Sequence, residues 1–332
     1  MRRKKYSKMN NILIIDRRWQ GHFGIGRYSR EIIERLEGIS NGYLDGSIPT
    51  SKNEILKSLI QPKRNFKLYS PGYMSSFSYK NEILTLHDLI LLKKSYGSTN
   101  VRLYFNRYLK PRILDGAIKI LTVSKTSALE ISDWANVPLS SIEIISNGLS
   151  KTILNYSQLG TVARKKRSLM YVGSMKEHKN YDLFVEAVNG LTGKWEVNVV
   201  GADLQMNGYN SHHDVKKHVN ISEKQLVKLY LSSDMLINTS SYEGFGMPIL
   251  EGAYLGCKII HFGVLPTVRE MLGRNSFHTN GRISAKHLAM VINSTCEIEY
   301  SMNKEFARNL ELKYSWDKSA TKIRRILTAN GV

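Results

Sequence analysis

Cysteine is scarce in this sequence, since a chain of 332 residues contains only Cys257 and Cys296. Two cysteines in so long a chain do not build a disulfide framework, and neither lies at a spacing typical of metal ligands. The composition therefore excludes a disulfide-stapled secreted domain, and we expect a reducing compartment such as the cytoplasm.

Long hydrophobic runs are missing as well. The apolar run that follows the basic N-terminus, residues 12–15, is too short for a signal peptide, and no stretch of about 18 apolar residues occurs. We therefore expect a cytoplasmic protein without a membrane span, either soluble or peripheral at the inner face of the plasma membrane.

Acidic residues are outnumbered. The 28 Asp and Glu stand against 48 Lys and Arg, which gives a net charge of +20. The excess is larger in residues 1–150, where 24 basic residues face 12 acidic ones. A nucleic acid, an anionic membrane surface or an anionic small substrate would each explain this charge. For any single Lys or Arg, a solvated surface that aids solubility is the simplest explanation.

Ligands for a metal ion are not evident in the sequence either. It has no Asp-x-Asp motif and no cluster of His and Cys at ligand spacing. A cation that bridges phosphates needs carboxylate ligands placed for it. We therefore expect neither a metal site nor another cofactor.

Short apolar runs alternate with helical patterns along most of the chain. Strand-like runs occupy residues 11–15, 82–86, 119–123 and 142–145, and then 169–172, 196–200, 235–238 and 258–261. Strands that alternate with helices predict parallel sheets covered on both faces. The polar, basic residues 150–168 predict a linker between two such α/β units, whereas residues 38–66 carry no clear pattern.

The most informative segment is residues 240–252, Ser-Ser-Tyr-Glu-Gly-Phe-Gly-Met-Pro-Ile-Leu-Glu-Gly. Seven residues, two of them glycines, separate Glu243 from Glu251. Pro248 suits the first turn of a helix, and the glycines let backbone N–H groups approach a ligand closely. The helix N-terminus would attract a phosphate. The carboxylates, with Glu251 expected in the first helical turn, can accept hydrogen bonds from sugar hydroxyls.

This segment resembles the E-x7-E signature of glycosyltransferase family 4, whose members are retaining enzymes of the GT-B fold. Segments at 120–124, 144–148, 171–180 and 218–234 also resemble parts of that family, in the same order. The resemblance implies two Rossmann-like α/β domains that face each other across a cleft. The acceptor-side domain would be residues 1–150 and the nucleotide-sugar donor domain 151–315. A closing helix at 316–332 would pack back towards the first domain.

The resemblance also implies roles for the E-x7-E segment. Glu251 would bind the ribose hydroxyls of the donor nucleotide. Glu243 would act in catalysis by binding hydroxyls of the donor sugar. The backbone amides of Phe245, Gly246 and Met247 would lie near the sugar and the diphosphate.

A second group of implied donor-binding residues follows the strand-like run at 169–172. Gly173 opens this loop, and Lys179 falls where the family keeps a phosphate-binding lysine. A cation there would stabilise the charge that a leaving nucleoside diphosphate gains. The sequence departs from many members at Ser174 and His178, which stand where those members have an arginine. The alternative for Lys179 is an exposed lysine at the start of a helix.

The loop at residues 21–28, Gly-His-Phe-Gly-Ile-Gly-Arg-Tyr, follows the first strand. It lacks the third glycine and the later acidic residue of a dinucleotide site, so we exclude a nicotinamide cofactor. The resemblance places this loop under the donor diphosphate. Gly24 and Gly26 would then allow a close approach, and Arg27 would add charge.

His87 follows the strand-like run at 82–86, at a strand end where α/β domains bind ligands. A lone histidine is as often structural. The resemblance makes His87 a catalytic residue that contacts the donor sugar near the reacting centre. It does not make His87 a general base, because in retaining enzymes of this fold the leaving phosphate assists the acceptor hydroxyl.

The basic and aromatic stretch at residues 96–112 has two interpretations. One is a surface that faces an anionic membrane or the diphosphate of a lipid-linked acceptor. The other is a solvated helix face above an aromatic core stripe.

Together these features predict a metal-independent hexosyltransferase of bacterial surface polysaccharide assembly, such as O-antigen of lipopolysaccharide or capsule. It would move a hexose or deoxyhexose, with mannose from GDP-mannose as the first choice, to a saccharide or lipid-linked oligosaccharide. The alternatives are a basic nucleic-acid-binding protein, an epimerase or phosphorylase of the same fold, and an inactive partner subunit. We find no nucleic-acid-binding module in the sequence and expect no nucleic-acid partner.

Overall fold

The protein folds into two units. A computed structural model describes residues 12–19, 21, 24–74, 76–93, 96–156, 162–263, 265–279, 284–299 and 303–329. The first unit comprises residues 1–148 and 315–332, and the second unit comprises residues 149–314. His22 and Phe23 of the predicted N-terminal loop, and residues 157–161 of the predicted linker, lie outside the described residues.

Twelve strands occur in the described part of the chain. They are β1 (Leu13–Asp16), β2 (Gly42–Leu44), β3 (Arg64–Ser70), β4 (Tyr79–Thr85), β5 (Ile118–Thr122), β6 (Glu143–Ile144), β7 (Lys165–Val172), β8 (Glu196–Val200), β9 (Asp214–His218), β10 (Ser233–Asn238), β11 (Lys258–His261) and β12 (Phe277–His278). Every strand pair is parallel. The inner strands β10 and β11 are buried at every residue, as in parallel sheets covered on both faces, whereas the edge strand β9 is largely exposed.

Helices connect these strands. They are α1 (Ile25–Arg35), α2 (Lys52–Ile60), α3 (Thr99–Leu103), α4 (Lys110–Leu114), α5 (Lys125–Ala135), α6 (Lys151–Leu154), α7 (Tyr181–Asn189), α8 (Glu223–Ser232), α9 (Met247–Tyr254), α10 (Pro266–Leu272), α11 (Ala285–Cys296), α12 (Lys304–Lys313) and α13 (Trp316–Ala329). A π-helical turn, Tyr104–Leu109, joins α3 to α4. Serine begins several of these helices. For example, the Ser124 side chain accepts the Ser127 N–H at the start of α5.

The first unit has the strand order β2-β1-β3-β4-β5-β6. One of its buried clusters lies between the sheet and α4 and α5 and contains Leu84, Phe105, Ile120 and Ile131. Helix α13 belongs to this unit, where the Ser319 hydroxyl donates to the Ser146 carbonyl at 2.6 Å.

The second unit has the strand order β12-β11-β10-β7-β8-β9. Counted within the unit, this is the order 3-2-1-4-5-6 of the Rossmann fold, with β7 as its first strand. Its core contains Tyr171, Phe184, Val188 and Trp195, all buried between the sheet and the helices α7 and α11.

Part of the predicted linker is a strand. β7 begins at Lys165, and its first three residues are exposed, whereas Ser168 to Tyr171 are buried. An exposed, charged strand start has the composition of a loop, so the sequence pattern placed the boundary too late. Residues 38–66, which showed no pattern, contain β2, α2 and the start of β3.

In the described residues, no helix combines the length and the apolar character needed to cross a membrane.

Candidate active site

The strand order of the second unit points to one edge of its sheet. β7 and β10 are neighbours in the middle of the sheet, and the chain proceeds outward from them in opposite directions. In open α/β sheets, ligands bind outside the carboxyl ends of the strands at such a switch point. The predicted loop with Gly173 and Lys179 follows β7, and the loop with Glu243 follows β10. The topology therefore brings the two strongest sequence motifs to the same place.

Lys179 and Glu243 form an ion pair at this switch point. The Lys179 Nζ lies 2.7 Å from the Glu243 Oε1, and the two side chains are 20% and 10% exposed. Because the sites are 64 residues apart in sequence, only the sheet topology brings them together. Lysine carries three N–H donors, so this pair leaves donors for a second anion.

The same carboxylate oxygen of Glu243 accepts two further hydrogen bonds. The Ser240 hydroxyl donates at 2.7 Å, and the Asn238 side-chain amide donates at 3.2 Å. Burial by itself would raise the pKa of Glu243, but the Lys179 charge and these hydrogen bonds leave the pKa below its ordinary value. Glu243 is therefore an ionised carboxylate with one oxygen fully engaged by the protein.

Hydrogen bonds to backbone carbonyls hold the loop after β7 against the loop after β10. The Thr239 hydroxyl donates to the Lys179 carbonyl at 2.7 Å, and the Asn180 side-chain amide donates to the Thr239 carbonyl at 3.0 Å. The Ser241 N–H donates to the His178 carbonyl at 2.8 Å. Asn180 has the left-handed φ of 47°, a conformation that asparagine tolerates better than most residues. This bonding fixes where Lys179 meets Glu243.

Helix α9 begins beside these loops. Gly246 has a φ of +87°, and it is followed by Met247 and Pro248 in the first turn. The N–H groups at the start of a helix lack intrahelical acceptors, and they carry a positive partial charge. The amides of Phe245, Gly246 and Met247 have no acceptor within the described residues. This end of α9 therefore has the chemistry of an anion site.

Glu251 lies in the second turn of α9 and not in the first turn, as the sequence had predicted. The helix begins at Met247, so Pro248 is its second residue and Glu251 is its fifth. Glu251 is only 2% exposed, and its Oε2 accepts a hydrogen bond from the Tyr230 hydroxyl of α8 at 3.1 Å. The carboxylate is thus positioned by a buried partner.

Gly173 directly follows β7, at a position where a side chain has little room. A Cβ at this position would lie 2.8 Å from the Tyr171 ring, so the ring leaves no room for a larger residue. Ser174 follows it in a half-buried position. The glycine therefore has a packing reason in addition to any role in ligand binding.

In the first unit, the glycine loop folds onto itself. Gly24 has a φ of +57° and caps the start of α1. A Cβ on Gly26 would lie 2.6 Å from the Gly21 backbone nitrogen, so no other residue fits there. The Arg30 guanidinium donates to the Gly21 carbonyl. Arg27 lies on the first turn of α1 and is half-buried.

His87 follows β4 and packs within the first unit. Its Nε2 lies 2.9 Å from the Pro71 carbonyl, and the Tyr28 ring contacts it edge-on at 4.7 Å between centroids. Burial lowers the pKa of His87 to about 4. The imidazole is therefore neutral at neutral pH. With the Nε2 proton directed to a carbonyl, the Nδ1 is the acceptor.

Groups of three or more His, Cys, Asp or Glu placed to hold a metal ion do not occur in the described part of the chain.

Comparison with known proteins identifies relatives of this chain. Residues 157–313 match the family model described as glycosyl transferases group 1. The match covers most of the second unit. The serotype-specific mannosyltransferase WbdA of Escherichia coli is 26% identical to this chain over 162 residues, which are 46% of this chain and 19% of WbdA. The match thus spans about a fifth of this curated relative.

Solved structures resemble the whole chain. HepE (Alr3699) of Anabaena, in complex with UDP and glucose, has a TM-score of 0.65 at 16% identity and covers 96% of this chain and 100% of its own. Sucrose-phosphate synthase of Thermosynechococcus elongatus has a TM-score of 0.67 at 14% identity, with coverages of 96% and 98%. These likenesses confirm the predicted GT-B fold with Rossmann-like α/β domains, and the family match confirms the resemblance to glycosyltransferases.

Sequence reasoning missed three residues of the glycosyltransferase domain. Asn238 and Ser240 hold Glu243, and Tyr230 holds Glu251. The polar run of residues 238–241 directly after a buried strand is a signal for the first two, because strand ends of this type face the ligand. Nothing in the sequence pattern of α8 indicates which atom Tyr230 contacts.

Proposed function

We propose that the protein is a retaining hexosyltransferase that moves a hexose or deoxyhexose from a nucleoside diphosphate to a saccharide acceptor. The observation that carries this proposal is the Lys179–Glu243 pair, 2.7 Å long, at the switch point of a group 1 glycosyltransferase domain. A carboxylate for sugar hydroxyls and a cation for phosphate stand next to each other there. Both are required at the bond between the sugar and the diphosphate.

We assign the donor-binding roles in the second unit as the resemblance implies them. Lys179 and the amides of Phe245, Gly246 and Met247 bind the diphosphate, and Glu243 offers its second oxygen to hydroxyls of the donor sugar. Lysine and the α9 N-terminus stabilise the charge that develops on the leaving nucleoside diphosphate.

Glu251 binds the ribose hydroxyls of the same donor, with the Tyr230 hydroxyl keeping its carboxylate in place. Gly173 lets the loop after β7 approach the diphosphate. The leaving phosphate itself assists the acceptor hydroxyl, so that the product retains the configuration of the donor.

For the first unit, we propose the donor-binding roles that the resemblance implies. Gly24 and Gly26 present the backbone of the α1 start to the donor diphosphate, and Arg27 adds positive charge. His87, neutral with its Nδ1 as acceptor, takes a hydrogen bond from a donor-sugar hydroxyl near the reacting carbon.

Mannose from GDP-mannose is the first choice of donor, and the likeness to a mannosyltransferase of E. coli supports it. The net charge of +20 supports an anionic acceptor, namely a lipid-linked oligosaccharide of O-antigen or capsule assembly. The basic stretch at residues 96–112 would then face the inner leaflet of the plasma membrane. We propose no metal and no other cofactor, since Lys179 and the α9 N-terminus supply the positive charge.

The test is a transfer assay with GDP-mannose, UDP-glucose and dTDP-rhamnose as donors and a lipid-linked oligosaccharide as acceptor. We expect one donor to give free nucleoside diphosphate and an elongated acceptor in equal amounts. Epimerised nucleotide sugar, or a sugar 1-phosphate as product, would contradict transfer. EDTA is expected to leave the rate unchanged, and a loss that Mg²⁺ reverses would contradict the metal-independent scheme.

A further inference from the structure

A cavity in the second unit lies apart from the motif loops. It is bordered by the C-terminal end of α10 and by the ends of β11 and β12, and its volume is about 160 Å³. The polar residues that line it are His261, Arg269, Arg274, Ser276 and His278. Two guanidinium groups, two imidazoles and one hydroxyl thus surround a small space.

The cavity carries positive charge that the protein does not neutralise. Arg269 and Arg274 are both exposed, and neither forms an ion pair with a carboxylate in the described part of the chain. Arg164 of the same unit, by contrast, donates to the carbonyls of Ser233 and Leu255.

A buried histidine lines the same cavity. His261 is 4% exposed, its Nε2 lies 3.2 Å from the Ser276 hydroxyl, and its ring centroid lies 5.5 Å from that of His278. The histidine and the serine thus border the cavity as a hydrogen-bonded pair of polar groups.

We propose that this cavity binds the phosphate group of a small phosphorylated molecule at a site other than the donor-binding loops. Guanidinium groups match phosphate oxygens in geometry and charge. The imidazoles and the serine hydroxyl add neutral donors. Burial and the neighbouring His278 lower the pKa of His261 to about 4, so this ring is neutral at neutral pH and the arginines supply the charge. The inference does not depend on the proposed transfer reaction.

The site lies close enough to the donor loops to require a discriminating test. The Phe262 N–H, directly after β11, donates to the Asn238 carbonyl at 2.8 Å, and Asn238 also bonds Glu243. A phosphate probe therefore has two places to bind, this cavity and the Lys179 site. Variants of each site separate the two.

The experiment measures thermal unfolding of the full chain in inorganic phosphate, with chloride at equal ionic strength as the reference. A phosphate concentration ten times the dissociation constant shifts the folding equilibrium about elevenfold towards the folded state. The variants are Arg269→Gln with Arg274→Gln as a double change, Lys179→Gln at the donor site, and Arg308→Gln. Arg308 is an exposed arginine on α12 of the same unit and is the matched control.

We expect phosphate to stabilise the wild type, Arg308→Gln and Lys179→Gln, and to lose this effect in the double variant. A wild type that does not respond, a double variant that responds like the wild type, or a loss confined to Lys179→Gln would each overturn the proposal. His278→Asn provides a second variant if the double variant does not fold, and we expect it to weaken the response several-fold.

A phosphate group can also belong to a lipid. Vesicles of phosphatidylcholine with phosphatidic acid form the second arm, measured by co-sedimentation. Sedimentation that requires both arginines, together with no response to inorganic phosphate, would assign the cavity to a lipid headgroup and overturn a small-molecule ligand.

Discussion

The two units share a parallel sheet with loops at its carboxyl edge, but they hold their candidate residues by different means. In the second unit, Lys179, Ser240 and Asn238 converge on one oxygen of Glu243. In the first unit, the Gly21 backbone leaves no room for a side chain at Gly26, and the His87 ring packs against the Tyr28 ring.

The two arrangements differ in how strongly they support the proposed donor site. The ion pair and hydrogen bonds of the second unit bring charged groups together, although packing of the core does not require them. A buried carboxylate stays ionised only when charged or hydrogen-bonding partners compensate for its loss of water. In the first unit, packing alone explains why Gly26 and His87 occupy their positions. The second unit therefore carries the case for the donor site, and the first unit is where the proposal is easiest to break.

The largest expected effect is on the polar arrangement, through Glu243→Gln. This change keeps the shape of the side chain but removes the charge that pairs with Lys179, and we expect the transfer rate to fall by about 100-fold. The matched control is Glu196→Gln, which breaks the more exposed Lys165–Glu196 pair of equal type, 2.8 Å long, in the same unit. We expect the control to keep its activity within about twofold. Normal transfer by Glu243→Gln would remove this residue from the site.

Gly26→Ala tests whether packing alone accounts for the first unit. The added Cβ would meet the Gly21 backbone at 2.6 Å, so we expect the first unit to lose about 1–3 kcal/mol of stability. Hydrogen exchange of the α1 amides measures this loss. Gly190→Ala is the control, since Gly190 has a φ of −88° and its added Cβ would lie 3.3 Å from its nearest neighbour. Unchanged α1 protection combined with lost donor binding would reverse the comparison between the units.

Ser240→Ala sharpens the account of Glu243. Loss of one hydrogen bond to the carboxylate costs about 1.5–3 kcal/mol, which corresponds to roughly a tenfold or greater decrease in turnover. Because this bond lowers the pKa of Glu243, its removal raises that pKa, and the acidic limb of the pH–rate profile moves to higher pH. Ser241→Ala is the control, since the hydroxyl of Ser241 lies 3.4 Å from the His178 carbonyl and is exposed. An unmoved acidic limb would show that Ser240 does not act through Glu243.

The change His87→Asn tests the pH dependence of stability. The folded-state pKa of His87 is about 4, below its ordinary value of 6.5, so the unfolded chain binds this proton first as the pH falls. Wild-type stability is therefore lost between about pH 6.5 and 4, and the variant should lose less.

Glu82 acts in the opposite direction, because burial raises its pKa to about 7 and the folded state binds its proton first. Both proteins contain Glu82, so the difference in unfolding midpoint between pH 7 and pH 5 isolates His87. Equal slopes in the two proteins would mean that His87 titrates normally.

Local signals predicted many of the elements. The strands β8 and β11 have the predicted bounds, because a buried apolar run is a signal that acts within a few residues. The charged start of β7 and the short β2 were missed, since an exposed strand end and a loop have the same composition. The position of Glu251 in the helix was wrong by one residue, enough to move it from the first turn to the second, because Pro248 tolerates either of the first two helical positions.

The amino-acid sequence was enough to predict the fold class, the resemblance to glycosyltransferases and the two acids of the E-x7-E segment, because periodicity and a glycine-rich bend before a helix are local properties. Only the tertiary structure decided that Lys179 meets Glu243, that Asn238 and Ser240 share its oxygen, and that two arginines border a cavity with His261. These contacts depend on which strand ends become neighbours in the sheet, and distances along the chain do not contain that information.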